Sequence, residues 1–538
     1  VIGPAPADGL VDFTIGLKVR NTDDLERLFW RVSDPSSSDY KAYLTIEEIG
    51  DRFGQDANSM ANILMWVSSF GVTYDMLSLQ RTRLSVHISK APVAVVEGLF
   101  NISLSLVANN AGQTAIRCTQ HCDLLIPRHI EPIFQSVGGL VDLPVVRPQY
   151  SAKSRTAATD INVTPAQIFD QYQIPRMSSP NCNKTAQTVA EFSGSNWLQS
   201  YSPSDLTGFQ HTYDLLEQPI AKLYGKNDPT QPTGEATLDI QYIMAAAQGV
   251  PTWFWGETGS YLDYLLHIEN LVDGPLVHSI SYSIADEIYA DVNHLNLLNS
   301  HFQIIGLRGI SLIWASGDEG TGNTGMFGCG TFSPGFPATS PYITSVGATS
   351  FTDLPNVAES HESGDIAKKS FRTNKYGEHA ASYSGGGFST LFPRPTYQDK
   401  LVSTYLSQMK QTLPPAAYYN STGRGFPDVS AVGTNFLVFV GGIGGPPMPV
   451  SGTSAATPIF SAMLTMINNE LAARGKKSVG FVNPAIYRAP SSVWNPITNG
   501  NNADYPCNAG FTAAAPWAPI SGLGSPNFPA LMNYFLSL

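Results

Sequence analysis

The chain has 538 residues, of which 43% are hydrophobic and only 14% charged, and a formal net charge of −12. That length predicts two or more folding units with at least one large core, and the composition excludes a disordered chain. The acidic balance excludes nucleic acid as an expected partner, because a phosphate binder needs a basic face. It also loses its repulsion as pH falls, which suits work in an acidic medium.

No apolar run is long enough to span a membrane, so no membrane association is expected. The start at Val1, VIGPAPADG, is neither basic nor apolar enough for a signal peptide. We expect a presequence to have been removed. Sequons at Asn101, Asn162, Asn183 and Asn420 add to that. The expected location is secreted or extracellular, or an acidic compartment on the secretory route such as a lysosome or vacuole. Five cysteines leave an odd one. Cys118 and Cys122 are close enough to pair, Cys329 and Cys507 are candidates for a long bridge, and Cys182 is then left over. The connectivity is not fixed by the sequence.

In chain order, Leu10–Lys18 alternates like a strand, and Thr22–Val32 reads as a helix with Thr22 as N-cap. Ser59–Phe70 is helical, Arg83–Ile88 strand-like, Ala91–Leu99 helical and Ile102–Ala108 strand-like. These segments suggest a small α+β unit of the split βαβ kind. Residues 149–160 (QYSAKSRTAATD) are small, polar and aperiodic, and read as a linker or an exposed processing segment. From Ile161 onward, short apolar strands alternate with longer helices. The strands are Thr188–Phe192, Thr252–Trp255, Val277–Tyr282, Ser311–Ala315 and Ile343–Val346. The helices are Glu235–Ala247, Ala285–Gly306 and Pro458–Leu471. This alternation predicts an α/β domain with a mostly parallel sheet, whose chemistry lies beyond the carboxyl ends of the strands.

Three segments carry chemistry. Ser451-Gly-Thr-Ser-Ala-Ala-Thr-Pro458 opens an apolar helix, with Pro458 expected in its first turn. A bare Ser-x-x-Thr-Pro would be a helix cap. Crowded by small residues before a buried helix, Ser454 is a candidate nucleophile that gains from the helix dipole. No histidine stands in a suitable context to serve as its base; His278 lies in an apolar strand and reads as a satisfied core residue. Glu235 and Asp239 instead fall on one helical face, i and i+4, with no Lys or Arg between Gln231 and Glu257 to relieve them. Coupled carboxyls titrate in separate steps, so one can act as base. Leu312–Asp318 is an apolar strand ending in a Gly-Asp turn, where a protonated Asp318 could donate to an oxyanion.

These residues resemble the sedolisins, the serine-carboxyl peptidases. Further matches are Ser384-Gly-Gly-Gly-Phe-Ser389, Phe392-Pro-Arg-Pro395, Phe426-Pro-Asp-Val429 and Gly524-Ser-Pro-Asn-Phe-Pro529. The N-terminal part is similar to a sedolisin propeptide at Gly9-Leu-Val, Arg20-Asn, Val32-Ser-Asp-Pro35 and Tyr43-Leu-Thr45. Within the family the likeness is to the tripeptidyl-peptidase branch. It implies a subtilisin-like catalytic domain (161–538), a ferredoxin-like inhibitory propeptide (1–148) and cleavage in the linker (149–160). It implies Ser454 as nucleophile, Glu235 as general base, Asp239 as its orienter and Asp318 as oxyanion donor. The expected substrates are peptides and proteins, with tripeptides released from free N-termini. An acid endopeptidase and a catalytically silent binding protein stay open as alternatives. Family members hold a calcium ion near the C-terminus. Here Pro496 and Ala518 stand where its two acidic ligands are expected, so the site should be empty or weak and no cofactor is expected.

Overall fold

The structure is a computed structural model that describes residues 1–108, 114–119, 122–140, 147–148, 161–176, 184–193, 198–257, 261–283, 285–287, 291–322, 330–352, 376–442, 446–503 and 508–538. The whole 149–160 segment and Cys182, Cys329 and Cys507 therefore lie outside the described residues. The bridge expected between Cys118 and Cys122 is formed.

The N-terminal unit is built on a four-stranded antiparallel sheet of β1 (Leu10–Leu17), β2 (Leu77–Leu79), β3 (Ser85–Pro92) and β4 (Phe134–Gly138), in the order β2-β3-β1-β4. This is the split βαβ order. Alternation along β1 divides its side chains between two faces. Val11, Phe13, Ile15 and Leu17 are buried among Ile63, Trp66 and Val67 of one helix (Ala57–Ser69) and Val96 and Phe100 of another (Val93–Phe100). Thr14 and Gly16 belong to the opposite face, which packs on the catalytic unit; a Cβ on Gly16 would lie 3.6 Å from the Leu262 side chain.

Between β1 and β2 lies α1 (Thr22–Ser33), which buries Leu25, Leu28, Phe29 and Val32 at helical spacing. Thr22 is not its N-cap. Asn21 holds that place at φ 54°, a left-handed conformation that Asn tolerates better than β-branched Thr. Sequence reading also missed the helix Ile46–Phe53. It carries a reciprocal capping box in which Thr45 and Glu48 each satisfy the other's backbone N–H.

The catalytic unit has an eight-stranded sheet. Its strands are β5 (Gln187–Phe192), β6 (Lys222–Gly225), β7 (Thr252–Glu257), β8 (Val277–Ile280), β9 (Ser311–Ala315), β10 (Thr344–Thr352), β11 (Gly377–Ala380) and β12 (Val429–Val432). They run β6-β7-β5-β8-β9-β10-β11, with β12 also on β10, and every pairing is parallel except β10 with β11. Two helices buried nearly all round, α2 (Gly234–Ala246) and α5 (Thr453–Ala473), share one core with each other and with the sheet. On the other face lie α3 (Tyr261–Ile268) and α4 (Val292–Leu307).

Two helix starts differ from expectation. The helix expected from Ala285 begins at Val292, because Ala285–Asp286 pairs as a short strand with Gly335–Phe336. The helix expected from Pro458 begins at Thr453, so Pro458 lies inside it rather than in its first turn. Proline has no N–H for the carbonyl four residues back, here that of Ser454.

The two units meet over two surfaces. One is the sheet face of β1, β3 and β4 against α3. The other is aromatic: Phe29 and Trp30 of α1 against Tyr342 and Phe481, at 5.0–6.2 Å between centroids. Arg488 and Asp34 form an ion pair at its rim, with Nη2 3.0 Å from Oδ2. The Tyr43 hydroxyl donates to the Ser478 carbonyl at 3.0 Å and lies where Gly309 and Gly480, both at positive φ, leave no side chain in its way.

Candidate active site

Thr453 opens α5, so Ser454 sits in its first turn, where free N–H groups and the helix dipole favour negative charge. Gly452 is the N-cap, in extended backbone at φ 168°. Ser454 is fully buried, and its side chain acts on Glu235, which lies in the first turn of α2. The sequence-predicted pair Glu235 and Asp239 lies inside a buried helix, 1% and 0% exposed.

Burial pushes the Glu235 carboxyl well above its ordinary range. The neighbouring Glu191 raises it further, a hydrogen bond with Ser454 opposes the rise, and Asp318 adds to it. Both Glu235 oxygens are buried, so the carboxyl is shaped by Ser454 and by the neighbouring acids rather than by water. Asp239 is likewise pushed up, by burial and then by Glu235 and Glu191. Its Oδ2 accepts the Ser281 hydroxyl at 2.6 Å. Ser454, Asp239 and Asp318 are thus gathered around Glu235, and no histidine is among the groups that perturb the three carboxyls. His278 is indeed a core residue, held by the Tyr264 hydroxyl at 2.6 Å and the Pro275 carbonyl at 3.1 Å.

Glu191, on β5, is the residue sequence reading missed. It is completely buried, and burial raises its carboxyl to about 8 against the hydrogen bond from the Tyr282 hydroxyl. Ser281 and Tyr282, consecutive residues just past β8, therefore hold Asp239 and Glu191 respectively. Trp314 fixes this segment by donating its indole N–H to the Tyr282 carbonyl. The available signal was a lone Glu in an apolar strand, QTVAEF.

Asp318 follows β9. Its Oδ1 accepts both the Thr453 N–H, at 2.7 Å, and the Thr453 hydroxyl, at 2.8 Å. Burial pushes its carboxyl well above the ordinary range; the Thr453 bonds oppose this and Glu319 adds to it. The turn before it is braced by the loop 384–387, whose Gly385 N–H donates to the Gly317 carbonyl at 2.6 Å. A Cβ on Gly385 would lie 2.4 Å from the Ser316 carbonyl oxygen, so only glycine permits this approach.

The residues at the expected calcium position do not fit a cation. Pro496 has no ligating side-chain atom. Ala518 is completely buried and closes a turn with Gly522, through N–H···O bonds of 3.1 and 2.8 Å. Among the described residues no group of three or more His, Cys, Asp or Glu side chains is placed to hold a metal.

The strand tail of the N-terminal unit reaches this region. The backbone of Arg147–Pro148 pairs antiparallel with Tyr282–Ser283.

Fold and sequence together define a serine peptidase of the subtilase type carrying an N-terminal activation unit. Residues 1–143 match the family described as Pro-kumamolisin, activation domain, and residues 245–481 match the Subtilase family. The chain belongs to the sedolisin family of serine-carboxyl peptidases, in its proenzyme form. It is 30% identical to tripeptidyl-peptidase 1 of Homo sapiens over 567 residues, covering all of this chain and 93% of that protein. It is 29% identical to tripeptidyl-peptidase 1 of Mus musculus, again over the whole chain and 93% of the relative. Among solved structures, Pseudomonas sedolisin, a serine-carboxyl proteinase complexed with pseudo-iodotyrostatin, superposes with a TM-score of 0.53 at 21% identity. That match covers 71% of this chain and 99% of that one, and speaks for the fold. Among the described residues no helix is long and apolar enough to cross a membrane.

Proposed function

We propose that this proenzyme matures in acid into a peptidase that removes tripeptides from free N-termini, with Ser454 as nucleophile and Glu235 as base. The observation that carries the chemistry is a buried serine in the first turn of a helix, acting on a carboxyl that burial and neighbouring acids perturb. Glu235 takes the hydroxyl proton as Ser454 attacks the carbonyl carbon, then returns it to the leaving amine. Asp239 orients Glu235 along the same helical face. Protonated Asp318 donates to the oxyanion. The reaction needs one group ionised and another protonated, so its pH profile should be bell-shaped.

Tripeptide release is supported by the full-length similarity to tripeptidyl-peptidase 1. Cleavage within 149–160 is supported by the pairing of Arg147–Pro148 with Tyr282–Ser283, which brings the preceding chain beside the residues that hold Asp239 and Glu191. An acidic compartment on the secretory route is the matching location.

Acid incubation of the wild type, Ser454→Ala and Glu235→Gln, followed by reading of the new N-terminus, tests this. The wild type should process and neither variant should; normal maturation of either would end the mechanism. Release of tripeptides from a free peptide but not from its N-terminally blocked form supports the exopeptidase reading. Internal cleavage of the blocked peptide supports an endopeptidase, and a chain that stays whole across the acid range supports a silent binding protein.

A further inference from the structure

We infer that Thr453 is a positioning residue that keeps the proton of Asp318 on Oδ2 and so aims the O–H which the oxyanion needs. This rests on the reading of Asp318 as oxyanion donor and goes beyond it, because it names which oxygen carries the proton and what decides that.

The Thr453 hydroxyl oxygen accepts the Gly317 N–H at 3.2 Å. Its acceptor side is thereby turned to Gly317, and its single proton is directed at Asp318 Oδ1, 2.8 Å away. The Thr453 backbone N–H, one of the donors at the start of α5 with no partner inside the helix, reaches the same oxygen at 2.7 Å. Two donors converge on Oδ1. A proton on that oxygen would face both of them, so the acid form of Asp318 carries its proton on Oδ2. Oδ2 is buried and has no hydrogen-bond partner among the described residues, which leaves its O–H for a group that arrives with substrate.

The clamp is rigid from both sides. Thr453 is fully buried. Gly317, at φ 114°, takes a conformation that lets its N–H turn to Thr453 while its carbonyl accepts from Gly385. Among the described residues the ionisable neighbours of Asp318 are Glu319, whose Oε2 accepts the Asp318 N–H at 3.2 Å, and Glu235. Neither supplies a cation that would hold Asp318 ionised.

The competing account is purely structural: Asp318 is an ordinary carboxylate capping α5 through Thr453. The two differ in what happens when the hydroxyl is removed. Both Thr453 bonds favour the ionised form, so losing one makes Asp318 harder to ionise and moves the alkaline limb of activity upward.

The experiment compares Thr453→Val and Thr453→Ser with the wild type, each released from its propeptide by added wild-type enzyme that is then removed. kcat and KM are measured against pH on a free N-terminal peptide. We expect Thr453→Val to lose about 10- to 100-fold in kcat with KM within about twofold, with the alkaline limb moved up, and Thr453→Ser to restore both. Unchanged kcat, a lowered kcat with an unmoved limb, or failure of Ser to rescue would each overturn the inference. Thr453→Ala gives the same test without a branched side chain if the Val variant does not fold. Asp318→Ala separates the two levels. Full activity in that variant removes the oxyanion assignment itself, whereas an inactive Asp318→Ala beside a fully active Thr453→Val removes only the role of Thr453.

Discussion

The rings of His87, on β3 of the activation unit, and His267, on α3 of the catalytic unit, lie 6.1 Å apart across the contact between the two. His87 Nδ1 is 3.0 Å from the Thr14 hydroxyl, and His267 donates through Nδ1 to the Asp263 carbonyl at 2.8 Å. Trp255 and Tyr224 close over His267 at 6.1 and 6.2 Å. Burial lowers the His87 pKa and His267 lowers it further, while Asp12 and Asp263 pull the other way without reversing the shift. The docked state therefore favours neutral His87. Its contribution to docking is complete above the ordinary histidine value of 6.5 and is lost as pH falls below it. His87→Gln should lower the pH of half-maximal self-processing by roughly half a unit. An unchanged midpoint, read from the processed fraction across a pH series, would count against the histidine pair as part of the acid trigger.

Glu191 makes the opposite statement about pH. Its carboxyl is raised from 4.5 to about 8, so the folded protein keeps it protonated while the unfolded chain ionises. The stability it contributes is full below about 4.5 and is lost as pH rises toward about 8. Glu191→Gln should match the wild type in stability in acid and exceed it near neutrality, by on the order of a few kcal/mol. Parallel melting curves for the two proteins across that range would show that Glu191 is not held protonated.

Gly480 tests how tightly the activation unit is held. A Cβ there would come within 2.3 Å of the Tyr43 hydroxyl oxygen, and φ is already +61°. Gly480→Ala should cost about 1–2 kcal/mol and loosen the Tyr43 contact. Self-processing should then begin at higher pH than in the wild type, the reverse of the His87→Gln effect. Processing at the wild-type pH would mean that Tyr43 contributes nothing to docking.

The turn at Ala518 offers no anionic ligand and closes on Gly522. Excess chelator at neutral pH should leave the melting temperature of the proenzyme within ~1 °C. A fall of more than ~5 °C would reveal a cation held by a ligand set other than Pro496 and Ala518.

Much of this molecule is legible in the sequence because the signals are local. The apolar strands and the octapeptide around Ser454 each sit within one element, and Glu235 and Asp239 share a face of one helix. The start of α5 was misplaced because Pro458 reads as a first-turn residue. The buried interior of the catalytic unit holds the helix through that position, and Ser454 gains its place at the positive end as a result. Glu191 escaped for a different reason. A single acid in a strand reads as a surface residue until parallel neighbours cover both faces, and here every residue from Gln187 to Phe192 is buried. The histidine pair and the Thr453 clamp join residues 180 and 135 positions apart, a separation at which sequence periodicity carries no information.

The aromatic seam between the units has a consequence for solubility after activation. Phe481 is 5% exposed while Phe29 and Trp30 lie on it, and Tyr342 shares the same cover. Once the activation unit leaves, those rings face water. A peptidase freed of its activation unit would thus carry an adhesive patch that its precursor conceals. Its handling properties, from adsorption to self-association, should change at the moment of processing even where its catalytic unit keeps the same fold.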